Sequence, residues 1–345
     1  MRKKSLKIFV LSVVLLAGIL LLHKIWQAYY DRRCPNFSQA AELYVYPGAT
    51  PDSVKALVSE KCRPTNGKSW SRAMASVSSV RPGHYTVDKS CSSLYVARML
   101  SHGWQTPVNL VLSGTMRQQG AIARKISRQL LLDSLDVICA MRDSALLASL
   151  DFTPDQVFAL FMPDTYQVYW TDSMPSVLKV QKAAYDAFWT QENREKAKKQ
   201  GLTPLEVSIL ASIVNGETNH EPEMPSIAGV YLNRLHIGMP LQADPTVSYC
   251  FDYTINRVLR KHTEVDSPFN TYMHVGLPPA PICVPTKAAL QAVLDPDKHQ
   301  YLFFCASPAF DGTHLFAATL SEHNRNAVAY QRALDVRNRS KSVTR

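Results

Sequence analysis

The 345-residue sequence lacks several patterns that mark common classes of protein. Its seven cysteines form no C-x-x-C pair, which argues against a structural metal site. Zinc-finger and helix-turn-helix spacings are absent, and so are internal repeats and long low-complexity stretches. We therefore predict a folded protein with no metal, no other cofactor and no nucleic-acid partner.

The cysteines still allow some pairing in an oxidising compartment. Cys62 and Cys91 are a conceivable pair within one small domain. An odd number of cysteines leaves at least one free thiol, and the sequence alone does not assign any bridge.

Charge and hydropathy separate the first thirty residues from the rest. Four basic residues within positions 1–7 precede an uncharged run from Ile8 to Leu22, and Trp26 follows at the depth where aromatic residues meet a membrane surface. A helix from Ile8 to Trp26 would rise roughly 28 Å, enough to cross the hydrocarbon core.

A cleaved signal peptide is the alternative, but no small-x-small site follows Leu22. We predict a cytoplasmic N-terminus at residues 1–7 and an uncleaved single-pass anchor at residues 8–28. In a bacterium, this orientation places the remainder outside the inner membrane, facing the cell wall.

The formal net charge of +10 comes largely from the two ends, namely the anchor flank and a basic tail at residues 333–345. The remainder is mildly basic. An anionic wall polymer or a lipid surface would explain this bias as well as a nucleic acid would.

The segment from 40 to 112 alternates short apolar runs with turn signals. Strands are predicted at Leu43–Tyr46 and His84–Val87, and helices at Asp52–Val58 and Ser92–Leu100. This order of strand, helix, strand, helix is the plan of a LysM-like carbohydrate-binding domain, although an adaptor without a ligand fits equally well. Residues 113–200 are predicted to form a helical connecting region.

The stretch Thr203 to Glu217 predicts an apolar helix that ends on a glutamate. Thr203 is a suitable N-cap and Glu206 completes a capping box, which fixes the helical phase. At 100° per residue, Glu217 lies on the same stripe as Leu210 and Val214, and Gly216 suggests that the helix ends nearby. A carboxyl group held against hydrocarbon should have a raised pKa and could act as a general acid. The plainer alternative is a solvated helix glutamate.

The region after this helix, up to residue 332, is predicted to be the catalytic domain of an α+β protein. A helix is expected from Ile227 to Leu235, followed by loops stiffened by proline and glycine that carry polar side chains. The side chains that we predict to bind substrate are Asn233, Gln242, Asp244, Asn270, Tyr272, His314 and Asn324. Each asparagine or aspartate could instead only cap a turn.

Several motifs of this region occur together and in order: ASIVNGET, GVYLNRL, GM-x-LQADPTV, NTY, GLPPAPI, HLF and SEHN. In these motifs the sequence resembles the endolytic murein transglycosylase family, also called MltG or YceG-like, over roughly residues 40–332. The resemblance implies an inner-membrane anchor, a LysM-like subdomain and a domain that cuts glycan strands between N-acetylmuramic acid and N-acetylglucosamine. It also implies a 1,6-anhydro product end, a role in terminating nascent strands and a peptidoglycan synthase as a partner.

The catalytic glutamate of that family is the second acid of an acid-x-acid-Thr motif, which corresponds here to Glu217 before Thr218. The sequence departs from the family pattern at Asn215, Gly216 and Ala280. Asn215 replaces the first acid. Because the helical phase points it about 160° away from Glu217, we expect little effect on the chemistry.

A single apolar-face acid favours a mechanism in which Glu217 donates a proton and then recovers one. Ordinary glycosidases use two carboxyl groups. A lysozyme-like hydrolase with Asp244 as the second carboxylate therefore remains an alternative. A membrane-anchored protein that binds the wall without cutting it is another.

Overall fold

The structure is a computed structural model that describes the backbone of residues 2–343 and the side chains of residues 6–339. Met1 in the predicted cytoplasmic segment, and Thr344 and Arg345 in the predicted basic tail, lie outside the described residues. The chain forms two compact units. Unit 1 comprises Met1–Asn109 and Gln167–Asp172, and unit 2 comprises Leu110–Tyr166 and Ser173–Arg345. The predicted connecting region at 113–200 thus falls into unit 2 except for residues 167–172.

A long helix, α1, runs from Arg2 to Arg33, and its apolar side chains are exposed along its length. Its length and composition suit either a signal anchor or a signal sequence. The last turn of α1 is bonded to the folded part of unit 1. There Asp31 accepts a hydrogen bond of 2.5 Å from the Ser69 hydroxyl and a bidentate pair of bonds from the guanidinium of Arg72.

Unit 1 continues with elements that enclose a small core. They are β1 (Ala41–Val45), α2 (Pro51–Cys62), α3 (Gly67–Ala75), β2 (Gly83–Val87), α4 (Ser93–His102) and the start of β3 (Val108–Leu112). β1 and β2 pair in antiparallel fashion, with Leu43 opposite Tyr85, and both of these side chains are fully buried. The fold is mixed α and β, as predicted.

The sequence-based prediction for unit 1 missed helix α3, so the predicted order of strand, helix, strand, helix was wrong. Asn66 caps α3 by accepting a hydrogen bond from the backbone of Ser69, and Trp70 from this helix is buried in the core. The observed order is strand, helix, helix, strand, helix. A nine-residue helix that begins with glycine has a weak propensity signal, and packing of its tryptophan stabilises it instead.

All seven cysteines are free thiols in the structure. Cys62 is fully buried in the core of unit 1, and Cys91 packs partly buried against the same core. Burial raises the pKa of the Cys62 thiol, and the nearby Cys91 raises it further.

Unit 2 is mostly helical. Its elements are α5 (Gln119–Ser127), α6 (Ser134–Arg142), α7 (Ser144–Ala148), α8 (Val157–Leu160), the start of β4 (Asp164–Val168), α9 (Met174–Phe188), α10 (Gln191–Lys199), α11 (Pro204–Glu217), α12 (Met224–His236), α13 (Asp244–Cys250), α14 (Lys287–Leu294), β5 (Phe303–Ala306), β6 (His314–Ala317) and α15 (Leu320–Val343). Short 3₁₀ helices lie at Glu221–Glu223 and Arg260–His262. The described sheets have two strands each: β1 with β2, β3 with β4, and β5 with β6.

Helix α11 is the central helix of unit 2 and packs against α12, α13 and α14. The predicted capping box at Thr203 and Glu206 is present. Every side chain from Val207 to Val214 is buried, so the helix is enclosed on all sides rather than along one stripe. Among them, Ser212 accepts a hydrogen bond from the backbone of Ile282 and so holds the GLPPAPI segment against the helix.

Candidate active site

Glu217 is the last residue of α11, and its carboxyl group meets a side chain from the neighbouring helix. The hydroxyl of Tyr231, in α12, donates a hydrogen bond of 2.6 Å to Oε1 of Glu217. Tyr231 is 1% exposed, whereas Glu217 keeps partial access to solvent although protein atoms surround it on most sides. The carboxyl group is therefore held in one orientation with its other oxygen, Oε2, free to carry a proton.

The surroundings of Glu217 raise its pKa from the ordinary value of 4.5 to about 7. Burial is the main cause, and the negative charge of Asp244 adds to it. The Tyr231 hydrogen bond and the positive charge of Arg234 act in the opposite direction. A carboxyl group with this pKa is partly protonated at neutral pH and can both give and take a proton.

A glycine allows the helix that carries Asp244 to approach Glu217. A Cβ atom on Gly216 would lie 2.5 Å from Cβ of Pro245, closer than two carbon atoms can come without contact strain. Pro245 is the second residue of α13, directly after Asp244. Gly216 is in the last turn of α11, as expected, but its role here is this close approach, because the cap residue, Thr218, has an extended backbone rather than a left-handed one.

Asp244 is held in place by Tyr272, whose hydroxyl donates a 2.6 Å hydrogen bond to Oδ1 of Asp244. Tyr272 lies in a loop that Asn270 organises from within. The amide of Asn270 donates to the carbonyls of Thr263 and Val265, and its oxygen accepts from the backbone of Tyr272. The loop is therefore preorganised to present Tyr272.

Glu217 opens into a cavity of about 400 Å³ that we call the aromatic cavity. Its walls include Tyr231, Arg234, Gln242, Asp244, Tyr272, Phe303, Phe304, His314 and His323. His323 stacks on Phe303 with ring centroids 5.5 Å apart. The guanidinium carbon of Arg234 lies 5.4 Å from the centre of the same Phe303 ring. Aromatic faces with a few fixed polar groups are typical of a binding site for an uncharged, partly apolar ligand such as a sugar.

Arg234 lines the aromatic cavity and links the segments that form its wall. Its guanidinium donates hydrogen bonds of 2.6 Å to the carbonyls of both Leu302 and Leu241, and the side chain is buried. These bonds join α12 to the residue directly before β5 and to the loop that carries Gln242. Burial, reinforced by the charge of Arg234, lowers the pKa of His323, so this ring is neutral near pH 7.

His314 also lines the cavity and is fixed by a buried carboxylate. Its Nδ1 lies 2.7 Å from Oε2 of Glu223, and its backbone N–H donates to Oε1 of the same residue. The Glu223 carboxylate accepts this hydrogen bond from Nδ1–H, so the other ring nitrogen, Nε2, is left available to a ligand.

The structure brings four of the predicted substrate-binding residues to the aromatic cavity with Glu217: Gln242, Asp244, Tyr272 and His314. It gives two others a different role. The amide of Asn233 donates to the carbonyls of His299 and Tyr301, and that of Asn270 is buried in its own loop. Asn324 is exposed on α15 and does not line the cavity. The side-chain N–H groups of Asn233 and Asn270 are thus already engaged with backbone carbonyls.

Asn215, where the resemblance implied an acid, points away from the cavity. Its side-chain oxygen accepts a 2.8 Å hydrogen bond from the backbone of Thr286, the N-cap of α14. It joins α11 to α14 and has no part in the lining of the aromatic cavity.

Sequence reasoning missed Tyr231, Arg234, Glu223 and the aromatic residues of β5. Tyr231 and Arg234 both belong to the GVYLNRL motif, three positions apart and thus on one face of a helix. That spacing was the available signal. Within the described residues, no group of three or more His, Cys, Asp or Glu side chains is arranged to hold a metal ion.

The chain belongs to the YceG-like family, whose model matches residues 43–329 and so includes every residue of the site. A YceG-like protein from Listeria monocytogenes has a similar crystal structure, with a TM-score of 0.54 and 26% identity, over 83% of this chain and 99% of that one.

Two named relatives match over shorter stretches. A Bacillus subtilis (strain 168) protein named endolytic murein transglycosylase is 37% identical over 142 residues, 41% of this chain and 39% of the relative. A protein of the same name from Streptococcus pneumoniae serotype 2 is 28% identical over 173 residues, 49% of this chain and 31% of the relative. The matched part of the chain thus spans between about a third and two fifths of these relatives.

Proposed function

We propose that the protein is an endolytic lytic transglycosylase of peptidoglycan, with Glu217 as its catalytic acid and base. The observation that carries the proposal is the Glu217 carboxyl group, whose pKa is about 7, at the wall of the aromatic cavity. The name of its relatives, endolytic murein transglycosylase, supports the same reaction.

In the first step, protonated Glu217 gives its proton to the glycosidic oxygen between N-acetylmuramic acid and N-acetylglucosamine. The bond from C1 to that oxygen breaks, and the acetamido oxygen of the muramyl sugar stabilises the positive charge at C1. The N-acetylglucosamine end leaves with the proton.

In the second step, the Glu217 carboxylate takes the proton of the 6-hydroxyl of the same muramyl sugar. The 6-oxygen bonds to C1 and forms the 1,6-anhydro ring. No water is added, and Glu217 regains its first state. A pKa near neutrality suits both steps, because the same group must hold the proton and then accept it.

The side chains around the cavity have separate roles in this proposal. Tyr231 orients Glu217, while Tyr272 and Asp244 bind the polar groups of the muramyl sugar. The aromatic rings of Phe303 and Phe304 contact the faces of the sugars. Gln242 and the Nε2 atom of His314 supply further hydrogen bonds.

The nearness of Asp244 to Glu217 favours a hydrolase as the second candidate. In a lysozyme-like reaction, Asp244 would act on C1 or activate a water. The two reactions differ in mass, because hydrolysis adds one water to the new end. A wall-binding protein without activity is disfavoured by the intact acid and by its raised pKa, which costs folding stability.

We further propose that α1 is an uncleaved anchor in the bacterial inner membrane and that both units lie outside the cytoplasm. The bonds of Asp31 to Ser69 and Arg72 support this arrangement, because they make the end of the helix part of unit 1. The LysM-like glycan-binding role of residues 40–112, the termination of nascent strands and a synthase partner belong to the same proposal.

The test is to digest purified peptidoglycan with the detergent-solubilised chain and to weigh the products. Anhydro-ended fragments released from within strands support the proposal. Reducing ends that are heavier by one water support the hydrolase. Binding of strands without any shortening would favour the wall-binding protein.

A further inference from the structure

A second cavity, of about 390 Å³, lies on another side of Glu217. We call it the arginine cavity, after Arg117 and Arg257 in its wall. Glu217 and Asp244 line both the arginine cavity and the aromatic cavity. The carboxyl group that we propose to be catalytic therefore lies where two binding spaces meet.

A strand that is cut internally continues on both sides of the bond that breaks. The aromatic cavity can hold the sugar at the bond that breaks, and the arginine cavity can hold the part of the substrate beyond that bond. Gly216 and Pro245, which approach each other closely, both line the arginine cavity beside Glu217.

The two cavities differ in charge. Arg234, the arginine of the aromatic cavity, is buried and donates to the carbonyls of Leu241 and Leu302. Among the described residues, neither Arg117 nor Arg257 has a carboxylate within ion-pair distance. Two guanidinium groups in one cavity favour a ligand with a carboxylate or another planar anion.

Arg117 is fixed in position by an aromatic platform. Its guanidinium carbon lies 5.2 Å from the centre of the Tyr253 ring, and the hydroxyl of Tyr253 donates a 2.6 Å bond to the carbonyl of Ile282. Stacking on a ring leaves the N–H groups in the guanidinium plane available. Arg117 also borders a neighbouring cavity that contains Asp155 and Asp252, but neither of these pairs with it. Arg257 is exposed to solvent.

In intact murein strands the carboxylates lie on the short peptides attached to the muramyl sugars. An amidase that removes a peptide leaves one lactyl carboxylate close to the sugar ring, so the carboxylates that extend away from the ring are lost. We propose that the arginine cavity is a subsite for these peptide carboxylates, with Arg117 and Arg257 as their ligands. This inference rests on the proposed function. It assigns the protein a preference for strands that still carry their peptides over strands from which an amidase has removed them.

The test compares peptide-bearing strands with amidase-stripped strands as substrates for the full chain in detergent. The variants are Arg117→Gln and Arg257→Gln. The matched control is Arg260→Gln, which removes the same charge from the 3₁₀ helix Arg260–His262, outside the cavity lining. The quantity measured is the ratio of kcat/KM for the two substrates. Each stripped-strand rate also reports whether the variant is folded.

We expect the wild-type chain and the control to prefer peptide-bearing strands and each cavity variant to lose about tenfold of that preference. A charge-assisted hydrogen bond to a carboxylate accounts for a loss of about that size. A variant that lowers both rates by the same factor, or neither, would overturn the proposal.

Binding separates this inference from the proposed function. Affinity for peptide-bearing and stripped fragments is measured by calorimetry in the Glu217→Gln background, where no cleavage is needed. If Arg117→Gln weakens the binding of peptide-bearing fragments alone, the subsite stands whatever the reaction is. If the wild-type chain releases no anhydro ends but this selectivity is present, only the proposed function fails. Equal binding of both fragments by the Glu217→Gln protein with both arginines intact would overturn the proposed subsite.

Discussion

The hydroxyl of Tyr231 donates a hydrogen bond to the carboxyl group of Glu217 across 2.6 Å, from one buried helix to the end of another. The bond lowers the pKa of Glu217 against the larger, opposite effect of burial. It also fixes which carboxyl oxygen faces substrate. The reaction that we propose depends on both effects.

Replacing Tyr231 with phenylalanine should slow the reaction and shift its pH dependence. The variant loses the bond that favours the charged form, so the pKa of Glu217 rises above about 7. Because the first step needs protonated Glu217, kcat/KM falls as the pH rises through that pKa. The falling limb of the plot of kcat/KM against pH should therefore move to higher pH, and kcat should drop about tenfold. A limb that stays in place or moves to lower pH would contradict this role.

Replacing Asp244 with asparagine should move the same limb in the opposite direction. The charge of Asp244 raises the pKa of Glu217, so its removal lowers that pKa. In a transglycosylase the variant should still release anhydro ends, since Asp244 takes no part in bond making. If Asp244→Asn abolished all cleavage, with the fold intact by circular dichroism, a two-carboxylate hydrolase would become the better account.

Gly216→Ala should displace α13 from Glu217 without changing the side chain of any residue proposed to act in the reaction. The new Cβ atom would meet Pro245 at 2.5 Å, so α13 must move and carry Asp244 away from Glu217. Overpacking of this kind costs about 1–3 kcal/mol of folding stability. Thermal unfolding and activity should both fall. Gly238→Ala makes a useful comparison, because a Cβ atom there meets nothing within 4 Å although its φ of +67° adds backbone strain. If Gly216→Ala kept full activity and stability, the close approach would not matter.

Glu217 should make the folded protein less stable as the pH rises. A carboxyl group whose pKa is about 7 when folded, against an ordinary 4.5, keeps its proton in the folded state over that pH range while the unfolded chain has lost it. Stability is therefore lost between about pH 4.5 and pH 7. Glu217→Gln should raise the free energy of unfolding at pH 8 by about 2 kcal/mol and change it little at pH 4. Chemical unfolding at the two pH values measures the difference, and an equal effect at both would contradict a raised pKa.

The sequence predicted the central helix well because its signals are local. Thr203 and Glu206 cap the helix start, and the apolar run up to Val214 fixes its type. The position of Glu217 at the end of that run was enough to suggest an acid with a raised pKa. Such signals depend on residues that are neighbours in the chain.

The contacts around Glu217 could not be predicted in the same way, because they depend on how separate elements pack. Tyr231 lies fourteen positions away on another helix, and it faces Glu217 only because α11 and α12 are packed together. Asn233 and Asn270 looked like sugar ligands in the sequence. Their amides satisfy backbone carbonyls of neighbouring loops, which only the folded chain brings within reach.

The most direct test of the account is the rate at which Glu217→Gln releases 1,6-anhydro ends from purified peptidoglycan at pH 7. Glutamine keeps the shape of the side chain but can neither donate the proton nor take it back. General acid catalysis contributes about 10²–10⁴-fold to a rate. Glu221→Gln removes a charge from an exposed position nearby and serves as the matched control. We predict a loss of at least about 10³-fold for Glu217→Gln and a near-unchanged rate for Glu221→Gln. Anhydro ends released by Glu217→Gln at close to the wild-type rate would contradict the assignment of Glu217 as the catalytic residue.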